Sequence, residues 1–124
     1  MPDLHILEAG TWWTAGILRQ FPRWQESVHG ARTAESLWEG QRSSAGGLIL
    51  LDFSSAADEC VKTLEQKPQG ATAVMFLAIL GREQASCGAD CLRAGCVAYV
   101  VQPVPLPELG QLCRQLLSRQ REMD

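Results

Sequence analysis

The sequence has no apolar run close to the ~20 residues that a membrane-spanning helix requires. Its first residues, Met1-Pro2-Asp3-Leu4, have neither the basic segment nor the apolar core of a secretory signal peptide. We therefore expect a cytoplasmic protein that does not associate with a membrane.

The sequence is also poor in clustered positive charge. Its 11 Lys and Arg residues are scattered along the chain, and the formal net charge is -3. Proteins that bind a nucleic-acid backbone present a basic patch or stripe, and no segment of this chain supplies one. Direct nucleic-acid binding is therefore not expected.

The cysteines lack the paired CxxC spacing of common zinc sites, and their odd number does not suggest a disulfide framework. They are Cys60, Cys87, Cys91, Cys96 and Cys113. Cys87 and Cys91 lie four residues apart on a predicted helix, but His5 and His29 fall on distant predicted strands. We expect reduced thiols and no zinc site.

What the sequence does contain is typical of a folded domain. Hydrophobic residues make up 46% and charged residues 20% of the chain, close to the averages of globular proteins. A chain of 124 residues can enclose one hydrophobic core and is too short for two. We expect a single domain that spans residues 1–124.

Five apolar segments alternate with five helical patterns along the chain. The predicted strands are 4–7, 26–29, 48–51, 73–77 and 97–101. The predicted helices are 11–21, a short helix from 33, 56–66, 82–94 and a last helix from 106, with N-caps at Thr11 and Thr33. This alternation predicts a parallel sheet with helices on both faces.

Right-handed crossovers make such a sheet doubly wound, and ligands then gather beyond the carboxyl ends of the strands. The residues that follow the apolar parts of the first, third, fourth and fifth strands are Glu8, Asp52, Ala78 and Gln102. These four positions are the candidates for a functional site.

Two motifs resemble the receiver domains of response regulators, the CheY-like family of two-component signalling. Residues 48–52, Leu-Ile-Leu-Leu-Asp, resemble the third receiver strand, where an aspartate accepts a phosphoryl group from a histidine kinase. Residues 92–103 resemble the signature that runs from a helix-ending Ala-Gly, through an aromatic residue, to Lys-Pro. The resemblance covers the whole chain and implies a flavodoxin-like (βα)5 fold with strand order 2-1-3-4-5.

The resemblance also implies functional positions, and several of them carry different chemistry here. In the family, two acids and the acceptor aspartate bind Mg2+, a strand-four hydroxyl contacts the phosphoryl group, and a strand-five lysine pairs with it. Here the acid pair reads Glu8-Ala9, the hydroxyl position falls on Ala78 and the lysine position on Gln102. We expect Asp52 as the candidate acceptor, weak Mg2+ binding by Glu8 and Asp52, and no other cofactor.

Three further expectations follow from the resemblance. The Gln102-Pro103 bond is predicted to be cis, because the matching Lys-Pro bond is cis in the family. Tyr99 matches the switch aromatic, and without a hydroxyl at Ala78 a static interface role is favoured. The face formed by helix four, strand five and helix five, with Tyr99, Arg114 and Arg121 as contact candidates, is expected to bind a second copy, a partner protein or an output domain.

Three functional interpretations stay open at this point. The first is an atypical receiver, or pseudo-receiver, which is not an enzyme and acts as a protein-interaction module with impaired phosphorylation. The second is a receiver in which Asp52 still accepts a phosphoryl group. The third, a flavin- or nucleotide-binding domain, is disfavoured because Glu8, Trp12 and Trp13 stand where such domains place a Gly-, Ser- or Thr-rich phosphate loop.

Overall fold

The computed structural model describes residues 3–42, 46–68 and 73–123, with side chains as far as residue 119. The strands are β1 Leu4–Leu7, β2 Val28–Ala31, β3 Gly47–Asp52, β4 Val74–Leu80 and β5 Ala98–Val101. The α-helices are α1 Trp12–Gln20, α2 Ala34–Gln41, α3 Phe53–Glu65, α4 Gly88–Arg93 and α5 Leu106–Met123. All strand pairs are parallel and their order is β2-β1-β3-β4-β5, which confirms the predicted flavodoxin-like topology.

Each face of the sheet has its own hydrophobic core. On one face α1 and α5 contribute Trp13, Ile17, Leu109, Cys113, Leu116 and Leu117. On the other face α2, α3 and α4 contribute Leu37, Trp38, Cys60 and Cys91. Every residue of β3 is buried because both faces of this central strand are covered. Burying one Leu or Ile side chain of such a strand contributes about 1.5–3 kcal/mol.

Two predicted strands are misplaced. β2 begins two residues later than predicted, because a 3-10 turn, Pro22–Trp24, comes before it. The ring of Phe21, which precedes this turn, stacks on the ring of Trp24 with centroids 4.1 Å apart. β4 continues to Leu80 instead of ending at residue 77. Ala78 therefore lies inside the strand, opposite Leu51 on β3 and Tyr99 on β5.

The third and fourth helices also differ from prediction. α3 begins directly at Phe53, three residues early, and carries a non-helical residue at Ala56 with φ -145° and ψ 50°. The predicted helix 82–94 is a 3-10 segment, Arg82–Cys87, followed by α4. Gln84 holds this segment in place, because its amide accepts from the Gly81 N–H at 2.9 Å and donates to the Phe53 carbonyl at 3.0 Å.

β5 lies at the edge of the sheet and carries Tyr99, which is 39% exposed. Its ring packs on the start of α4, where a Cβ at Gly88 would collide with it.

The Gln102-Pro103 bond is cis, as predicted. Arg114 is exposed on α5, whereas the side chain of Arg121 lies outside the described residues. Within the described ranges, no helix is long and apolar enough to cross a membrane.

Candidate functional site

Three of the predicted site residues meet at the carboxyl edge of the sheet. Glu8 follows β1, Asp52 ends the neighbouring β3, and Gln102 follows β5. Both carboxylates are buried, with Glu8 2% and Asp52 4% exposed. Charged groups at this depth require compensating hydrogen bonds or counter-charges, so the partners of the two acids decide what this site can do.

The carboxylate of Asp52 accepts four hydrogen bonds, all from neutral groups. Its Oδ1 accepts from the Ser54 N–H at 3.2 Å and the Ser54 hydroxyl at 2.6 Å. Its Oδ2 accepts from the Trp13 indole N–H at 3.0 Å and the Ser55 hydroxyl at 2.8 Å. A carboxylate offers about four lone-pair positions, so the hydrogen-bonding capacity of Asp52 is filled.

Glu8 caps helix α1. Its Oε1 accepts from the Trp13 N–H at 2.9 Å. Its Oε2 accepts from the Thr14 N–H at 2.9 Å and the Thr14 hydroxyl at 2.7 Å. The first N–H groups of a helix have no partner inside the helix, and a carboxylate is also favoured there by the helix dipole. Thr11 occupies the N-cap position, but its side chain makes no cap hydrogen bond, so Glu8 performs that role.

Trp13 joins the two acids, because its backbone N–H bonds Glu8 and its indole bonds Asp52. The i, i+4, i+8 spacing of Trp13, Ile17 and Phe21 predicts that Trp13 lies in the core, whereas for Trp12 the sequence left open whether it reaches over the site or covers apolar surface. Trp13 is indeed buried in the α1–α5 core, yet it is also the residue that reaches Asp52. Trp12 is 68% exposed. The helical spacing identified the buried indole, but it did not indicate where the indole N–H points.

Ser54 and Ser55, which the resemblance did not assign to the site, complete the network. Ser54 links Gln102 to Asp52, because its Oγ accepts from the Gln102 amide at 2.7 Å and donates to Asp52 Oδ1. Ser55 links the backbone N–H of Ala9, at 3.1 Å, to Asp52 Oδ2. The one available signal was the pair of hydroxyl residues two and three positions after Asp52. Gln102 therefore contacts Asp52 only indirectly, through the Ser54 hydroxyl, and its amide brings no positive charge to the site.

Ala78 does not occupy the predicted place at the end of strand four. It is fully buried two residues before the end of β4, and Leu80 is the residue that ends the strand. Leu80 is 1% exposed and packs into the core formed with α2, α3 and α4. The last three residues of β4, Ala78, Ile79 and Leu80, are all apolar, so the end of the strand carries no hydroxyl.

The residues present do not fit a tight Mg2+ site. Mg2+ needs near-octahedral oxygen ligands at about 2.0–2.1 Å, and usually one or two carboxylates supply them. Here the oxygens of Glu8 and Asp52 already accept N–H and O–H groups, and the side chain of Ala9 has no ligand atom. In the parts of the chain that the structure describes, no group of three or more His, Cys, Asp or Glu residues could hold a metal. Weak Mg2+ binding stays a prediction.

No protein-family model matches the sequence, and no curated protein matches it. The structure, however, is similar to solved receiver domains. The signal receiver domain of a Vibrio parahaemolyticus protein described as a LuxO repressor has a TM-score of 0.81 and 13% identity, over 99% of this chain and 95% of that chain. A CheY-like receiver domain from Methanospirillum hungatei has a TM-score of 0.78 and 19% identity. The similarity covers 100% of this chain and 99% of that chain.

A more distant similarity is to a chain in the co-crystal structure of the Saccharomyces cerevisiae phosphotransfer protein Ypd1 and the receiver domain of the response regulator Ssk1. The TM-score is 0.68 and the identity 19%, over 92% of this chain and 88% of that chain. At such identities the similarity establishes the fold. The chain has the fold of response-regulator receiver domains, with a hydrogen-bonded acid site of its own.

Proposed function

We propose that this domain is a pseudo-receiver: a cytoplasmic signalling module, not an enzyme, that binds protein partners and does not depend on Mg2+-assisted phosphorylation. The observation that supports this function is the filled carboxylate of Asp52, which accepts four hydrogen bonds from neutral donors. In this proposal the aspartate stabilises the fold at the place where a working receiver accepts its phosphoryl group.

The chemistry of phosphoryl transfer explains why this arrangement is unfavourable for it. The attacking oxygen needs a free lone pair aligned with the phosphorus, and the transferred group needs cations to offset its charge. An attack by Asp52 would displace a bound donor such as the Trp13 indole. Gln102 supplies no charge. A hydrogen bond that involves a charged group contributes about 1.5–3 kcal/mol, against about 0.5–1.5 kcal/mol for a neutral one. The phosphorylated state would therefore lack the contacts that stabilise it.

Intact-mass measurement after incubation with acetyl phosphate and Mg2+ tests the proposal. The mass of the wild-type domain should stay unchanged under conditions that add one phosphate to a receiver with a complete site. The competing function, a working phospho-acceptor, has the position of Asp52 at the end of β3 in its favour. Addition of one phosphate to the wild type, and none to Asp52→Asn, would establish that function and overturn ours.

The partner surface that we propose is the face formed by α4, β5 and α5. Tyr99 stands on the edge strand, with Leu92 46% and Val97 48% exposed close to it in the chain. The outer side of α5 borders a shallow polar cavity lined by Gln111, Arg114, Gln115, Ser118 and Arg119. Aromatic and arginine side chains are enriched at interaction hot spots. Since the Ssk1 receiver was crystallised with a phosphotransfer protein, we include such proteins, together with kinases, output domains and a second copy, among the partners.

The double variant Tyr99→Ala, Arg114→Glu should weaken self-association or partner capture by about tenfold or more, which corresponds to a loss of at least ~1.4 kcal/mol. Light scattering measures the monomer fraction, and pull-down measures the capture of the partner. Arg32→Glu is the matched control, because Arg32 is exposed and follows β2 at the opposite edge of the sheet. An unchanged monomer fraction together with unchanged capture would refute this surface.

A further inference from the structure

A groove separates α3 from the segment Arg82–Arg93, on the sheet face opposite α1 and α5. Its volume is about 410 Å3, within the range of roughly 300–1,000 Å3 that is typical of small-molecule sites. Its apolar lining consists of Phe53, Ala57, Val61, Leu64, Leu80, Cys91 and Ala94. None of these side chains bonds to Glu8 or Asp52, so the groove is a separate feature from the acid site.

The groove arises from the unusual local structure on both sides of it. On one side, α3 starts directly after β3 and bends at Ala56. On the other side, a 3-10 segment of six residues replaces the first part of the predicted helix, although 3-10 runs longer than three to four residues are uncommon. The small side chains of Ala57 and Ala94 then leave the space between these elements open.

The charge at the rim indicates what the groove would accept. Of the described residues that line it, Glu65 and Asp90 are the charged ones, and both are acidic. Asp90 is paired with Arg93. Glu65 has no ion-pair partner in the described part of the chain, and it is the last residue of α3, where the helix dipole is negative. An apolar floor thus lies beside an exposed carboxylate that no ion pair among the described residues neutralises.

We propose that this groove binds a small hydrophobic cation, an aliphatic or aromatic amine. Its apolar body would cover the floor, and its ammonium group would face Glu65 at the end of α3. A carboxylate ligand would be repelled there, and a neutral ligand would gain no attraction from Glu65. This site goes beyond the proposed function and does not depend on it, because its lining includes neither Asp52 nor Tyr99 and Arg114, although it shares helix α4 with the proposed partner surface.

Cys87 provides a direct measure of occupancy. It lines the groove and is exposed, whereas the other four cysteines are buried. Burial raises the pKa of Cys96 and of Cys113 to about 12, and it also raises the pKa of Cys60 and of Cys91. Since the thiolate is the reactive form, these four thiols should react slowly at neutral pH. Iodoacetamide should therefore label Cys87 first, and the intact mass reports its rate.

The experiment compares octylamine, octanol and octanoate on the wild-type domain. Octylamine should slow the labelling of Cys87 and bind about fivefold more tightly than octanol, the scale of a partly exposed ion pair, and octanoate should bind more weakly still. Calorimetric titration should give the same order. Glu65→Gln should remove the preference for the amine, whereas Asp58→Asn, an exposed acid on the same helix outside the groove, should keep it.

A second pair of variants tests the location. Ala57→Trp fills the groove from an exposed position and should abolish binding of the amine, while Ala89→Trp, on α4 outside the groove, should not. Equal binding of all three ligands, a preference that survives Glu65→Gln, or no binding of octylamine would overturn the proposal. Binding of an amphipathic peptide without binding of the amine would also overturn it, in favour of a protein-docking groove.

Discussion

Replacing Asp52 with alanine should lower the free energy of unfolding by about 2–4 kcal/mol. The substitution removes the acceptor of the buried Trp13 indole N–H and of the hydroxyls of Ser54 and Ser55. A buried donor left without a partner costs about 1–3 kcal/mol, and the two serine hydroxyls, at the rim of the site, can turn partly to water. The measurement is urea unfolding with linear extrapolation, which gives the free energy and its slope separately.

The sign of the change in unfolding free energy distinguishes a site held by hydrogen bonds from one in which the two carboxylates repel each other. In a cluster of acids that lacks neutral donors, removing one carboxylate relieves repulsion and stabilises the fold. Asp58→Ala, at an exposed position of α3, is the matched control and should change stability by no more than about 0.5 kcal/mol. An Asp52→Ala variant as stable as the wild type would contradict the role that we assign to the network.

The contribution of the indole can be isolated with Trp13→Phe, which keeps an aromatic ring in the α1–α5 core but removes the N–H donor. Combined with Asp52→Ala in a double-mutant cycle, it should show a coupling of about 1.5–3 kcal/mol, the range for a hydrogen bond to a charged group. A coupling near zero would mean that the two side chains are close together without stabilising each other.

The fold could be predicted because characteristic residues mark the ends of most strands and helices in the sequence. The apolar run 48–51 is followed by a polar residue, Asp52, and Gly95, with φ 117°, follows the end of a helix. Where no such residue marks the end of an element, the predicted bounds were wrong. The apolar run of β4 continues through Ala78, Ile79 and Leu80 to Gly81, so a strand end placed at residue 77 had no physical signal to support it. β2 is short and carries two exposed residues, and its pattern was correspondingly weak.

The site could be predicted only in part, for a related reason. Strand ends bring Glu8, Asp52 and Gln102 to one edge, and this placement depends on backbone topology alone. The hydrogen-bond donors depend on side-chain direction. Whether Trp13 or its neighbour Trp12 faces the acids is determined by the angle at which α1 leaves β1, and Glu8 fixes that angle by capping the helix. Such a dependence on tertiary contacts leaves no local pattern in the sequence.

The triple variant Ala9→Asp, Trp13→Phe, Gln102→Lys should convert the domain into a phospho-acceptor. Asp at position 9 supplies the missing carboxylate, and Phe at position 13 frees Asp52 Oδ2 from the indole. The Gln102 amide already reaches Ser54, which is bonded to Asp52, so the longer lysine can place its ammonium beside the acceptor. Two carboxylates and a cation are the elements that Mg2+-assisted transfer requires.

For the wild type we expect no Mg2+ binding at micromolar concentrations, and for the triple variant an affinity at least about tenfold higher, a gain of ~1.4 kcal/mol. Calorimetric titration measures both, and intact mass after acetyl phosphate should show one added phosphate on the triple variant only. Adding Asp52→Asn to the triple variant must abolish that phosphate, which controls for labelling elsewhere.

Circular dichroism separates loss of fold from loss of chemistry. If the folded triple variant binds Mg2+ and still gains no phosphate, the indole and the two altered positions are not what prevents Asp52 from reacting. The serine donors to Asp52, the apolar end of β4 and the β3–α3 junction at Phe53 are then the features to change next.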